Sequence, residues 1–130
     1  MDDYLAKPVS IAGIDTRYLD VIRSLQRPGK PDLLEKVIGQ YFEDAALQVE
    51  LMRNGYSAGD TAAVKSASHR LKSSSANLGA LRLAELCQEL ERLCKEGGLY
   101  AGAPLISAID EAFLDAKAQL EPFSVQPFTA

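Results

Sequence analysis

The stretch "ALRLAELCQELERLCKE" at residues 80–96 constrains this chain more than any other. Leu83, Leu86, Cys87, Leu90, Leu93 and Cys94 recur at spacings of three and four, which places them in one stripe along a helix. Such a stripe is stable only when buried against other elements, and no strand-like alternation elsewhere in the chain offers a sheet. The partners must therefore be helices.

The same period finds them. Residues 15–26 place Tyr18, Val21, Ile22 and Leu25 on one side, with Asp15 as N-cap. "PGKP" at 28–31 breaks that helix. A longer helix over 31–54 turns Leu34, Val37, Ile38, Tyr41, Phe42, Ala45, Val49 and Met52 inward, and "GYSAGD" at 55–60 reads as a turn. Asp60 is placed to cap a third helix over 60–78, which Gly79 stops. After the loop "GGLYAGAP" at 97–104, a last helix over 104–120 buries Leu105, Ile109, Phe113, Ala116 and Leu120. Four long helices on short connections predict an all-α fold, an antiparallel four-helix bundle with an additional short N-terminal helix. The tail at 122–130, with two prolines, is expected to be extended and flexible.

At 130 residues the chain suits one domain. Its net charge of −4 argues against a general nucleic-acid binder, which would show a basic excess. No apolar run reaches the roughly 20 residues of a membrane span. The acidic start "MDDYLAKPVS" lacks the layout of a secretory signal, so a cytoplasmic location without direct membrane contact is expected. Cys87 and Cys94 sit two turns apart on one helix, about 10 Å along its axis, too far for a disulfide between them. They read as reduced thiols facing the core, and no Cys/His spacing for a metal accompanies them.

His69 is the one histidine in the chain. At about 100° per residue, Val64, Ala67, Leu71, Ser74 and Leu78 lie opposite it. Val64, Leu71 and Leu78, the large apolar residues among them, define the core face, so the imidazole must point to solvent. Ala62, Lys65, Ser66, Lys72, Ser73 and Ala76 share its side, and none is large and apolar. Lys65 and Lys72 stand at spacings of four and three, where helix side chains meet. An imidazole free in water titrates near about 6.5, and flanking ammonium groups favour its neutral form and attract a dianion. The pattern suits a nucleophile that receives a phosphoryl group from another protein, with Ser73 and Ala76 leaving room for approach.

The stretch His69-Arg70-Leu71-Lys72-Ser73-Ser74-Ser75-Ala76-Asn77-Leu78-Gly79-Ala80 resembles the signature of histidine-containing phosphotransfer (HPt) domains. That signature reads His-x-Leu-Lys-Gly-Ser-Ser-(Ala/Gly)-Asn-(Leu/Ile)-Gly-Ala. The resemblance implies a helical bundle over 10–121 with no autonomous catalysis. It also implies a phosphorelay, in which His69 accepts a phosphoryl group at Nε2 from a receiver-domain aspartate. The group then passes to the aspartate of a response regulator. Lys72 becomes the basic neighbour of the phosphoryl group, with Lys65 and Arg70 at the docking edge and Ser73 and Ala76 beside the ring. The family usually has glycine where Ser73 stands, so transfer rate or partner preference is open at that position. No cofactor is expected in the domain itself, since Mg²⁺ belongs to the receiver, and a monomer is expected.

"DYLAKP" at 3–8 is similar to the end of a receiver domain, so residues 1–9 are expected to be the remnant of an upstream receiver and linker. The parent would then be a hybrid histidine kinase or a receiver–HPt protein, with this domain near its C-terminus, itself soluble or anchored in a membrane. Two rival readings are a helical adaptor that is never phosphorylated and the dimerisation and phosphoacceptor domain of a histidine kinase. The latter usually has an acidic residue after the histidine, where this chain has Arg70, and no Gly-rich phosphate loop occurs.

Overall fold

The computed structural model describes residues 14–30 and 32–123. The receiver-like "DYLAKP" and the tail from residue 124 lie outside them. Five α-helices and no strand occur among the described residues: α1 (Arg17–Arg23), α2 (Leu33–Ala58), α3 (Thr61–Asn77), α4 (Leu81–Lys95) and α5 (Ala103–Leu120). The bundle is formed by α2 to α5, and α1 packs on α2. Helix α3, which carries His69, lies between α2 and α4 and makes its most extensive contacts with them.

Local chemistry sets the helix starts. The Asp60 carboxylate accepts the Ala63 N–H at 3.0 Å, the cap expected from the sequence, and Asp32 does the same for Glu35 at 3.3 Å. Asp15 does not cap α1. Thr16 occupies that position without a side-chain bond, and the Asp15 carboxylate instead takes the Arg17 N–H and guanidinium.

Helix α2 runs four residues past the expected end at residue 54. Gly55, expected in the turn, lies inside the helix: a Cβ there would meet Val64 Cγ2 at 2.9 Å, so its bare backbone lets α3 start close by. The chain reverses instead at Gly59, whose φ of +69° ends α2 before Asp60 opens α3. Gly79, with φ +82°, does stop α3. Its carbonyl accepts the Asp15 N–H at 2.9 Å, and a Cβ would collide with the Asp15 carbonyl.

The core holds Leu19, Ile38, Met52, Leu71, Leu78, Leu83, Leu90, Ile109 and Leu120, all fully buried. Four expectations need correction. The first helix ends at Arg23, short of the expected residue 26, and its buried residue is Leu19, with Ile22 half-buried; Tyr18, Val21 and, beyond the helix, Leu25 are exposed. In α3 the buried arc is turned toward α2. Ser75 and Ser68 are fully buried while Ser74 is half-exposed, because the Ser75 hydroxyl meets the Tyr41 hydroxyl of α2 at 2.7 Å. In the 97–104 loop, Leu99–Ala101 form a 3₁₀ turn that buries Leu99. Pro122 and Phe123, expected in the tail, belong to a second 3₁₀ turn, and Arg23 lies over the Phe123 ring at 5.3 Å.

Candidate functional site

His69 emerges on the side of α3 that faces α4, its side chain 63% exposed. Ala62, Lys65, Ser66 and Ser73 are exposed around it, and Lys72 and Ala76 are half-buried. The platform expected from the sequence is therefore present. Its electrostatics differ from the expectation in one decisive respect.

Below the ring lies Glu91 of α4, whose side chain is only 9% exposed. Its Oε2 is 3.1 Å from His69 Nδ1, and its Oε1 accepts from Lys72 Nζ at 2.9 Å. Lys95, one turn further along α4, brings its Nζ to 3.9 Å from Oε2. One buried carboxylate thus binds the histidine and the lysine together. The Lys72 hydrogen bond holds the Glu91 carboxyl below the usual glutamate range, against burial, and the His69 bond adds to the effect.

Ionised Glu91 can only accept, so the hydrogen bond assigns the ring proton to Nδ1. The Nε2 lone pair is then available on an exposed ring. Lys72 does not stand free above the surface; it leans onto α4 and is 30% exposed. Arg70 turns the other way, toward α2, where its Nε meets the Asp44 carboxylate at 3.2 and 3.3 Å. The site therefore gathers His69 and Lys72, keeps Lys65, Ser73 and Ala76 on the same face, and sends Arg70 to the opposite flank.

Glu91 went unread in the sequence because a glutamate in an amphipathic helix is ordinarily solvated. A signal was available: it stands four residues after Cys87 and three before Cys94, on the apolar stripe itself. Both cysteines are free and buried on that stripe. Burial pushes the Cys87 thiol up to about 12, so it stays protonated and unreactive at neutral pH. Among the described residues, no three His, Cys, Asp or Glu side chains gather to hold a metal ion.

Compared with known proteins, residues 36–119 match the Hpt domain family. The chain belongs to that family. A histidine-containing phosphotransfer protein 2 from Arabidopsis thaliana is 26% identical over 125 residues, covering 92% of this chain and 78% of the relative. Histidine-containing phosphotransfer protein 5 from the same plant is 27% identical over 95 residues, covering 71% of this chain and 60% of the relative. In fold, this Hpt domain is similar to the crystal structure of histidine-containing phosphotransfer protein B from Pseudomonas aeruginosa. The TM-score is 0.79 at 23% identity, over 85% of this chain and 93% of that one. The all-helical bundle read from the periodicity is thus the family's fold. No helix among the described residues is long and apolar enough to cross a membrane.

Proposed function

We propose that this Hpt domain is a phosphorelay intermediate whose phosphoacceptor is His69, taking a phosphoryl group from a receiver-domain aspartate and passing it to that of a response regulator. The observation that carries this reading is the His69–Glu91 hydrogen bond, which leaves the lone pair on Nε2 of an exposed ring. In the forward step that lone pair forms the N–P bond while the acyl O–P bond breaks, and its electrons stay on the aspartate carboxylate. No proton has to leave. The ring gains positive charge, and the buried Glu91 carboxylate, already hydrogen-bonded to Nδ1–H, offsets it. Reversal onto a second aspartate uses the same contacts. Stabilising charge that develops only during transfer is what lowers the barrier.

The receiver supplies Mg²⁺ and its acidic residues, and this domain supplies the nucleophile and the docking face. Ser73 and Ala76, one and two turns beyond His69, occupy the side over which a receiver closes. The Ser73 hydroxymethyl, exposed where the family usually has glycine, tunes how closely it can do so. The domain works as a monomer in the cytoplasm.

The test is incubation with a phosphorylated receiver and Mg²⁺, followed by intact mass and acid-labile, base-stable phosphate on wild type and on His69→Gln. One phosphoryl group on the wild type and none on the variant is the expected result. Absence of label from several receivers, with the fold intact, would favour the adaptor instead.

A further inference from the structure

Beside His69, on the side away from Ser73 and Ala76, the surface dips into an open depression of about 510 Å³ lined by Ala62, Lys65, Ser66, His69, Glu91 and Lys95. Its α3 wall is made of small residues, with Lys65 on α3 and Lys95 on α4 as its basic side chains. Lys72 does not line it.

The three lysines near the ring are differently engaged. Lys72 is committed to Glu91 at 2.9 Å and is largely covered. Lys95 lies beyond hydrogen-bonding distance of Glu91, at 3.9 Å, and is 58% exposed. Lys65 is exposed. Three ammonium groups against the single Glu91 carboxylate leave a local excess of about two positive charges, which matches a phosphoryl group carrying about −1.5 to −2. The two lysines that make no hydrogen bond to Glu91 and are exposed enough to meet it are those of the depression, Lys95 pairing with Glu91 only at 3.9 Å.

We propose that the phosphoryl group on His69 is received in this depression, its oxygens held by Lys65 and Lys95, while Lys72 stays on Glu91 and positions the ring. The division of labour rests on the phosphoacceptor role of His69 proposed above, but it moves the phosphoryl contacts from Lys72 to a different pair of lysines, one of them on α4. Lys65 and Lys95 touch the phosphoryl group; Lys72 acts through Glu91.

Phosphoramidate, a small phosphoryl donor, tests this without any receiver. The phosphorylated wild type, Lys65→Ala/Lys95→Ala and Lys65→Arg/Lys95→Arg proteins would be titrated by phosphorus-31 NMR. The double alanine variant should raise the phosphoryl group's titration midpoint by about one unit, because nearby cations favour the dianion. The double arginine variant should restore the wild-type value. Both lysines are exposed, so the fold is retained, and circular dichroism verifies it. An unchanged midpoint in the alanine variant overturns the assignment of these lysines while leaving His69 as acceptor. If no phosphoryl group forms on His69 at all, the acceptor role falls, and this inference with it.

Discussion

Arg70 and Lys72 are two residues apart on α3, and each reaches across to a carboxylate on a neighbouring helix. Arg70 meets Asp44 of α2 at 3.2 Å, with side chains 67% and 28% exposed. Lys72 meets Glu91 of α4 at 2.9 Å, with side chains 30% and 9% exposed. The bonds are similar in length, and burial separates them. An exposed pair gains little over its hydration and is worth about 0–1 kcal/mol. A covered carboxylate has already lost its water, so it depends on the partners it keeps. The α2 side of α3 is thus a structural seam, and the α4 side holds a carboxylate that has a second use, the histidine.

The largest effect should come from removing that second use. Glu91→Leu should slow phosphoryl acceptance by tenfold or more in single-turnover assays. Glu91→Gln should fall between, because it keeps a hydrogen bond but loses the charge, a difference of about 1–2 kcal/mol. A Glu91→Leu protein as fast as wild type would erase the contrast between the two sides of α3.

Next in size is Lys72→Met, which removes the partner of the buried Glu91 Oε1 and should cost about 1–3 kcal/mol in urea unfolding. The same carboxylate gives a pH signature. Glu91 is held below its ordinary value of 4.5, chiefly by Lys72, so between the two values the unfolded chain binds the extra proton and stability rises with pH. The gain is complete above the ordinary glutamate range and is lost as pH falls through the lowered folded value. Glu91→Gln should remove that slope from acid unfolding curves, whereas Asp44→Asn should keep it.

On the α2 side, Tyr41→Phe removes the 2.7 Å bond to the buried Ser75 hydroxyl and should cost about 1 kcal/mol with phosphoryl acceptance unchanged. Arg70→Met should be smallest, within about 0.5 kcal/mol. A cost for Arg70→Met equal to that for Lys72→Met would mean that burial does not separate the pairs.

The exposed direction of His69 was legible because Val64, Leu71 and Leu78, all fully or nearly fully buried, leave α3 one way to face. The Asp60 cap and the inward Ile109, Phe113, Ala116 and Leu120 of α5 followed from local rules of the same kind, although at its first turn Ile106 is buried and Leu105 only half-buried. The existence of helix α1 was legible, but its buried face was not. The seven residues of that helix carry apolar side chains around much of the surface, and packing on α2, which no period encodes, selects Leu19. Gly55 misled because glycine serves two purposes, and here close approach to Val64 outweighs turning. Glu91 was hidden for a related reason. Charge normally predicts exposure, and only contact with two α3 side chains reverses that.

The central claim is that buried Glu91 fixes the proton on His69 Nδ1 and so leaves Nε2 as the nucleophile. Long-range proton–nitrogen correlation on the imidazole of the unphosphorylated domain, at a pH where the ring is neutral, tests this directly. The account predicts the Nδ1–H tautomer in the wild type and its loss as the dominant form in Glu91→Leu. A wild-type ring protonated mainly at Nε2 would contradict it.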